Sequence, residues 1–120
     1  SGADGTAIGT GSQNTIDIEA GCSTSGTAAD ICANLTLGGY SDWFLPSKDE
    51  LNEMYLNIGQ GNTLGLGNIG GFASKYYWSS TEEDGKYEDS KAKSMVFNRY
   101  AYQFSDWKDD THYVRAIRAF

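Results

Sequence analysis

The segment Gly38-Gly39-Tyr40-Ser41-Asp42-Trp43-Phe44-Leu45-Pro46-Ser47-Lys48-Asp49-Glu50-Leu51 constrains the fold more than any other stretch of the chain. It holds the single proline and a complete helix-start signal. Ser47 followed three residues later by Glu50 is a capping box. The hydroxyl can accept from the backbone N–H of Glu50, and the carboxylate can reach back to the N–H of Ser47. Pro46 sits just outside the helix, where its fixed φ and missing N–H do no harm, and it can meet Leu51 as a staple. Leu51, Met54, Tyr55 and Ile58 follow at helical spacing, and Gly59 is a natural stop. The spacing predicts an amphipathic helix over 47–58, entered through a glycine break and an aromatic turn. Trp43 and Trp78 are expected in the core.

The rest of the chain is arranged around that helix. Its 120 residues suit one domain spanning 1–120, with 1–13 as a flexible Gly/Ser/Thr/Asn-rich arm. The opening residues read as an excised domain, with no signal peptide and no apolar run long enough to span a bilayer. Thr15-Ile16-Asp17-Ile18 alternates, which suits a short strand or extended arm. Thr27 can cap a helix over 28–35. Residues 59–71 are rich in glycine but lack the Lys-Ser/Thr of a phosphate loop, so they read as packed irregular loop. From Phe72 onward the pattern is β-like: a strand over 76–81, a hairpin over 92–104 turning near Asn98-Arg99, and a last strand over 113–120. The expected fold class is α+β, two short helices packed on a mixed, mostly antiparallel β core with long loops.

Charge and cysteine usage exclude several functions. Sixteen acidic against nine basic side chains give −7, which disfavours nucleic acid and anionic membranes. Cys22 and Cys32 lie ten residues apart, without a Cys-x-x-Cys partner, so zinc is disfavoured. A Cys22–Cys32 disulfide is expected, and with it an oxidising, extracytoplasmic location. The single His112 leaves no Ser-His-Asp or thiol–imidazole set, so the chain reads as a non-enzyme. Arg115 and Arg118 are expected to pair with carboxylates such as Asp42 or Glu82.

The aromatics of the last third carry the functional signal. Tyr87, Tyr100, Tyr102, Phe104, Trp107 and Tyr113 are interleaved with short polar residues. Rings beside adaptable hydrogen-bonding groups supply contact area at low entropic cost, and rings stack on sugar faces. Phe97 and Tyr113 read as core. The candidate ligand-binding residues are Tyr87, Asn98, Tyr100, Tyr102, Gln103, Trp107, Asp109, Asp110 and His112. Carboxylates at Glu82, Glu83, Asp84 and Asp106 offer the hard oxygen donors that calcium would need, although no defined loop pattern is present. No other cofactor is expected.

Three blocks carry a family resemblance: the capped segment above, Tyr77-Trp78-Ser79-Ser80-Thr81-Glu82, and Tyr113-Val114-Arg115-Ala116-Ile117-Arg118. In this order, over about residues 14–120, the chain resembles the C-terminal domain of the Legionella collagen-like (Lcl) adhesin family. The resemblance implies a C-type-lectin-like fold and an extracellular or cell-surface adhesion module that recognises a glycan or protein surface. The alternatives it leaves open are a structural or oligomerisation domain of a surface or phage protein, with a homo-oligomer as partner, and the variable binding domain of a diversity-generating system.

Overall fold

The computed structural model describes residues 2–22, 25–83 and 90–119. Three helices precede three strands: α1 (Gly11–Gly21), α2 (Ala28–Ala33), α3 (Lys48–Ile58), β1 (Tyr76–Glu82), β2 (Lys91–Val96) and β3 (Gln103–Trp107). The strands form one antiparallel sheet in the order β1-β2-β3. The architecture is α+β, with one helix more than the sequence pattern suggests.

Cross-strand register decides what lies on each face. Tyr77 opposes Met95, which opposes Gln103, and this row faces α3. Leu51, Met54 and Tyr55 from α3 pack there with Phe72, Tyr77, Met95 and Phe97. Phe97 is wholly buried, edge-on to Tyr55 at 5.5 Å between ring centroids. The other face carries Trp78 and Ala92, which close a second cluster with Ala29, Cys32 and Leu45. The sheet therefore has apolar packing on both faces.

The capping box forms as the sequence dictates, and Glu50 does more than cap. Its Oε1 accepts from Ser47 N at 2.8 Å and from Gly11 N at 3.1 Å, while Oε2 accepts from Gly9 N at 3.0 Å. Gly11 must be glycine here, because a Cβ would fall 2.2 Å from Glu50 Oε1. Residues 2–10, expected to be most of a flexible arm, are accordingly tied down. Thr6 O accepts from Asp49 N at 2.9 Å, Ala7 O from Ser47 Oγ at 2.9 Å, and Ala3 is fully buried.

Four other expectations need correction. Thr15-Ile16-Asp17-Ile18 is helical, inside α1. The helix buries polar residues, so apolar alternation misreads it. Asn14 exchanges hydrogen bonds with Gly5, and Thr15 Oγ1 accepts from Leu45 N at 3.0 Å. The last strand is reduced to two bridges, Tyr77 to Tyr113 in parallel and Phe44 to Ile117 antiparallel. Trp78 is buried, but Trp43 is only half-buried and donates Nε1–H to Tyr40 O at 3.0 Å. Cys22 and Cys32 are free thiols. Cys32 lies in the second cluster, where burial pushes its pKa up to about 12, so it acts as a small apolar side chain.

The outer edge of β1 is covered piecewise. Trp78 N donates to Tyr113 O at 3.0 Å, Ser80 N to Pro46 O at 2.8 Å and Glu82 N to Ala3 O at 2.8 Å. The buried polar run Ser79-Ser80-Thr81-Glu82 adds side-chain bonds. Thr81 Oγ1 donates to Gly5 O at 2.7 Å and accepts from Lys48 N at 3.0 Å.

Replacing Glu50 with Ala removes one acceptor from three backbone N–H groups. The variant is expected to lose about 3 kcal/mol, read as a lower urea midpoint at unchanged m-value. A second expectation concerns Glu19, whose carboxyl is held above the ordinary range by burial first and by neighbouring Asp30 second. A raised folded-state pKa stabilises below the unfolded value, and that contribution is lost as pH rises through the folded value. Glu19→Gln should therefore gain melting temperature relative to the parent between about pH 4 and pH 7.

Candidate functional site

The β2–β3 hairpin carries the candidate site. After Val96 the chain turns through Asn98, whose Oδ1 accepts from Tyr100 N at 2.9 Å and Ala101 N at 3.4 Å. Ala101 has φ 53°, a conformation that non-glycine residues rarely adopt. Tyr55 of α3 donates its hydroxyl to Asn98 O at 2.5 Å, which fixes the turn to the helix. Asn98, one of the candidate ligand-binding residues, shapes the loop that presents the rings.

Register places Tyr102, Phe104, Tyr76 and Trp78 on one face. Tyr76 opposes Val96 and Trp78 opposes Ser94, which opposes Phe104. The result is a continuous row of rings. Tyr100 stacks on Tyr102 at 5.6 Å with planes 14° apart, and Tyr102 meets Phe104 edge-on at 6.4 Å. Phe104 lies 5.4 Å from Tyr76, which stacks on His112 at 5.3 Å. His112 also lies 4.4 Å from the buried Trp78. Tyr100 is 53 % exposed, Tyr102 60 %, Phe104 36 % and Tyr76 40 %, so the row runs from solvent into the core. Arg99 caps its outer end, donating from Nη2 to Tyr100 Oη at 2.6 Å.

A polar cluster adjoins the row. Asp106 Oδ2 accepts from Ser94 Oγ at 2.5 Å and lies 2.9 Å from His112 Nε2. Asp106, Asp110 and His112 each offer a ligand atom within 4.8 Å of the others. Among the described residues this is the one such donor group. Two carboxylates with an imidazole suit a transition metal better than calcium.

The other sequence-predicted positions are distributed as follows. Tyr87 and Asp84 lie outside the described residues. Gln103 and Trp107 are exposed on the opposite face, where Lys91 Nζ sits 4.5 Å from the Trp107 ring centroid. Asp109 is exposed just beyond β3. Glu82, expected beside Asp106 as a calcium ligand, is buried and committed elsewhere. Its Oε2 pairs with Lys108 Nζ at 2.9 Å, and its Oε1 accepts from Ala3 N at 3.2 Å. Glu83 is partly buried and follows β1 directly. Tyr113, expected as core, is 49 % exposed: its backbone bonds to β1 and its ring meets Tyr77 edge-on at 5.5 Å, leaving the rest of the ring uncovered. Tyr76 completes the row unannounced. Only its register with Val96 places it there, and register is not legible in a single strand.

The two late arginines act inside the fold. Arg118 forms a two-pronged pair with Asp42, Nε to Oδ1 at 2.7 Å and Nη2 to Oδ2 at 3.1 Å. The Arg118 hydrogen bond holds the Asp42 carboxyl below its ordinary range. Arg115 donates to Gly70 O at 2.9 Å across the Phe72 ring. Two clefts, of about 450 and 500 Å³, lie along Trp43 and contain none of the ring row.

Asp106→Ala should strip Ser94 and His112 of their shared acceptor. The expected cost is about 2 kcal/mol, accompanied by a shift of the His112 imidazole resonances in NMR spectra.

Compared with known proteins, the chain matches the family described as the Lcl C-terminal domain over residues 9–118. No curated protein and no solved structure gives a match. Among the described residues no helix is long and apolar enough to cross a membrane.

Proposed function

Because the chain belongs to the Lcl C-terminal domain family, a family associated with surface adhesins, we propose that it is an extracellular adhesion module. It recognises a glycan or protein surface through the face formed by Tyr100, Tyr102, Phe104 and Tyr76. The observation that supports this reading is the exposed, mutually stacked ring row. Contiguous exposed apolar surface rimmed by polar groups commonly marks an interaction site. These rings are held by one another and by the Asn98 turn, so little rotamer freedom is lost when a ligand settles on them. Asp106, Asp110 and His112 supply hydrogen-bonding groups at one end. Recognition of this kind uses the chain's own side chains and calls on no cofactor.

A second reading draws on a different surface. Leu64, Leu66 and Ile69 stand exposed on the 59–71 loop, which suits a contact between subunits.

The test is binding of the full chain to glycan arrays and to immobilised matrix proteins. Tyr100→Ala and Tyr102→Ala should each weaken binding at least about tenfold. Melting temperature should hold, because both rings are more than half exposed. Parent-like binding by both variants would move the site elsewhere.

A further inference from the structure

The end of β3 brings three metal-binding side chains together over a short stretch of sequence. Asp106, Asp110 and His112 each place a ligand atom within 4.8 Å of the others. Two carboxylates alone would be ordinary acidic surface on a chain of net charge −7, and the imidazole is what sets this group apart. His112 Nε2 lies 2.9 Å from Asp106 Oδ2, and its Nδ1 lies 2.9 Å from Thr111 O. Both ring nitrogens therefore face acceptor oxygens. A neutral imidazole carries one N–H, so one of the two contacts would set lone pair against lone pair. A cation on Nε2 removes that conflict. Nδ1–H then stays on Thr111 O, the arrangement usual for a metal-bound histidine.

Distances and packing point the same way. With metal–ligand bonds of about 2.0–2.1 Å, neighbouring donors on one ion sit about 3 Å apart, close to the Nε2–Oδ2 separation. Both groups are held before any ion arrives. His112 stacks on Tyr76 at 5.3 Å and lies 4.4 Å from Trp78. Asp106 accepts from the buried Ser94 hydroxyl, an outer bond of the kind that orients a ligating carboxylate. Asp110 N donates to Trp107 O at 3.0 Å, which bends the chain back toward the strand. The Asp110 carboxylate is exposed and enters no ion pair among the described residues, so it is the arm that can swing in. The donor set also selects the ion. Imidazole with carboxylate suits zinc and its neighbours, whereas calcium takes oxygen ligands alone.

We propose that Asp106, Asp110 and His112 bind a divalent transition-metal ion of the zinc class at the end of β3. The ion ties the 107–112 turn to the strand, and water completes its coordination. Tyr113, next in the chain, is bonded through its backbone to Tyr76 and Trp78 of β1. The ion therefore links β3 to the segment that closes on β1, at the inner end of the ring row. This goes beyond the adhesion reading and does not depend on it.

The full chain, stripped of metal by a chelator and dialysed, is titrated with zinc chloride in a buffer that does not bind metal, by calorimetry and by NMR. A single class of site should fill, with amide shifts concentrated at 94 and 106–112. The His112 Nε2 resonance should move while Nδ1 stays protonated, and the melting temperature should rise with zinc concentration. Asp110→Ala, at an exposed position, should melt as the metal-free parent does and weaken zinc binding at least about tenfold. Calcium should bind at least about tenfold more weakly than zinc. Cys22→Ser should bind zinc as the parent does, although Cys22 is a free thiol. The imidazole signature is read on the parent chain, so it decides the matter even if a variant fails to fold. Absence of zinc binding, or equal affinity for calcium, overturns the proposal. So does a His112 ring protonated on both nitrogens and unmoved by zinc, since the second proton then satisfies both contacts. Loss of zinc binding in Cys22→Ser overturns it too, because the ion then sits on the thiol. Tyr102→Ala should leave zinc binding unchanged, so failure of the adhesion reading and failure of this site are separate results.

Discussion

One carboxylate joins three parts of this chain. Glu50 takes N–H groups from Gly9, Gly11 and Ser47, that is, from the arm, the start of α1 and the start of α3. A buried charge of this kind is tolerated because three donors surround it and the positive end of the α3 dipole lies beneath it. Taking the carboxylate away would leave the buried N–H groups of Gly11 and Ser47 without an acceptor. The orientation of α1 therefore depends on a cap that belongs to α3.

That coupling decides the shape of the sheet. With the arm held against α3, Ala3 reaches Glu82, Gly5 reaches Thr81, and Pro46 reaches Ser80. The polar second half of β1 is buried at little cost because its polar groups find partners, backbones for Ser79, Ser80 and Thr81 and the Lys108 ammonium for Glu82. β1 needs no further strand partner, and growth of the sheet on that side is blocked. On β3 the outward backbone groups of Gln103 and Ser105 have no backbone partner among the described residues, beside the most exposed rings of the row. Natural sheets usually blunt such an edge. Here the strand is only five residues long, which limits aggregation.

How much of this was legible in the sequence follows from how local each determinant is. The α3 cap is written in four residues, and its start and stop are as read. Phe97 as core and Arg118 paired with Asp42 also follow from residue chemistry. The helix α1 was not legible, because its buried face is Gly11, Asn14 and Thr15 rather than a stripe of aliphatics. Ile16 is 57 % exposed, so the apolar letters pointed to the wrong face. The ring row was half legible. Composition singled out Tyr100 and Tyr102, but the separation of Trp107 from them, and the addition of Tyr76, come from cross-strand register. The spacing of Cys22 and Cys32 suggested a bridge, whereas Cys32 is spent on packing against Trp78 and Leu45 in the second cluster.

The ring row also explains how an exposed surface can be rigid without being buried. Each ring leans on the next, and the last contacts Trp78 through His112, inside the second core. The turn at its outer end is fixed independently, by the Tyr55 hydroxyl on Asn98, which belongs to the first core. The two apolar clusters thus hold the row from opposite faces of the sheet. A side chain held at both ends of its row samples few rotamers before a ligand arrives, and the entropy of fixing it is charged to folding rather than to binding. On this argument the exposed rings are a product of the core's geometry, and disturbing either cluster should loosen the face before it unfolds the protein.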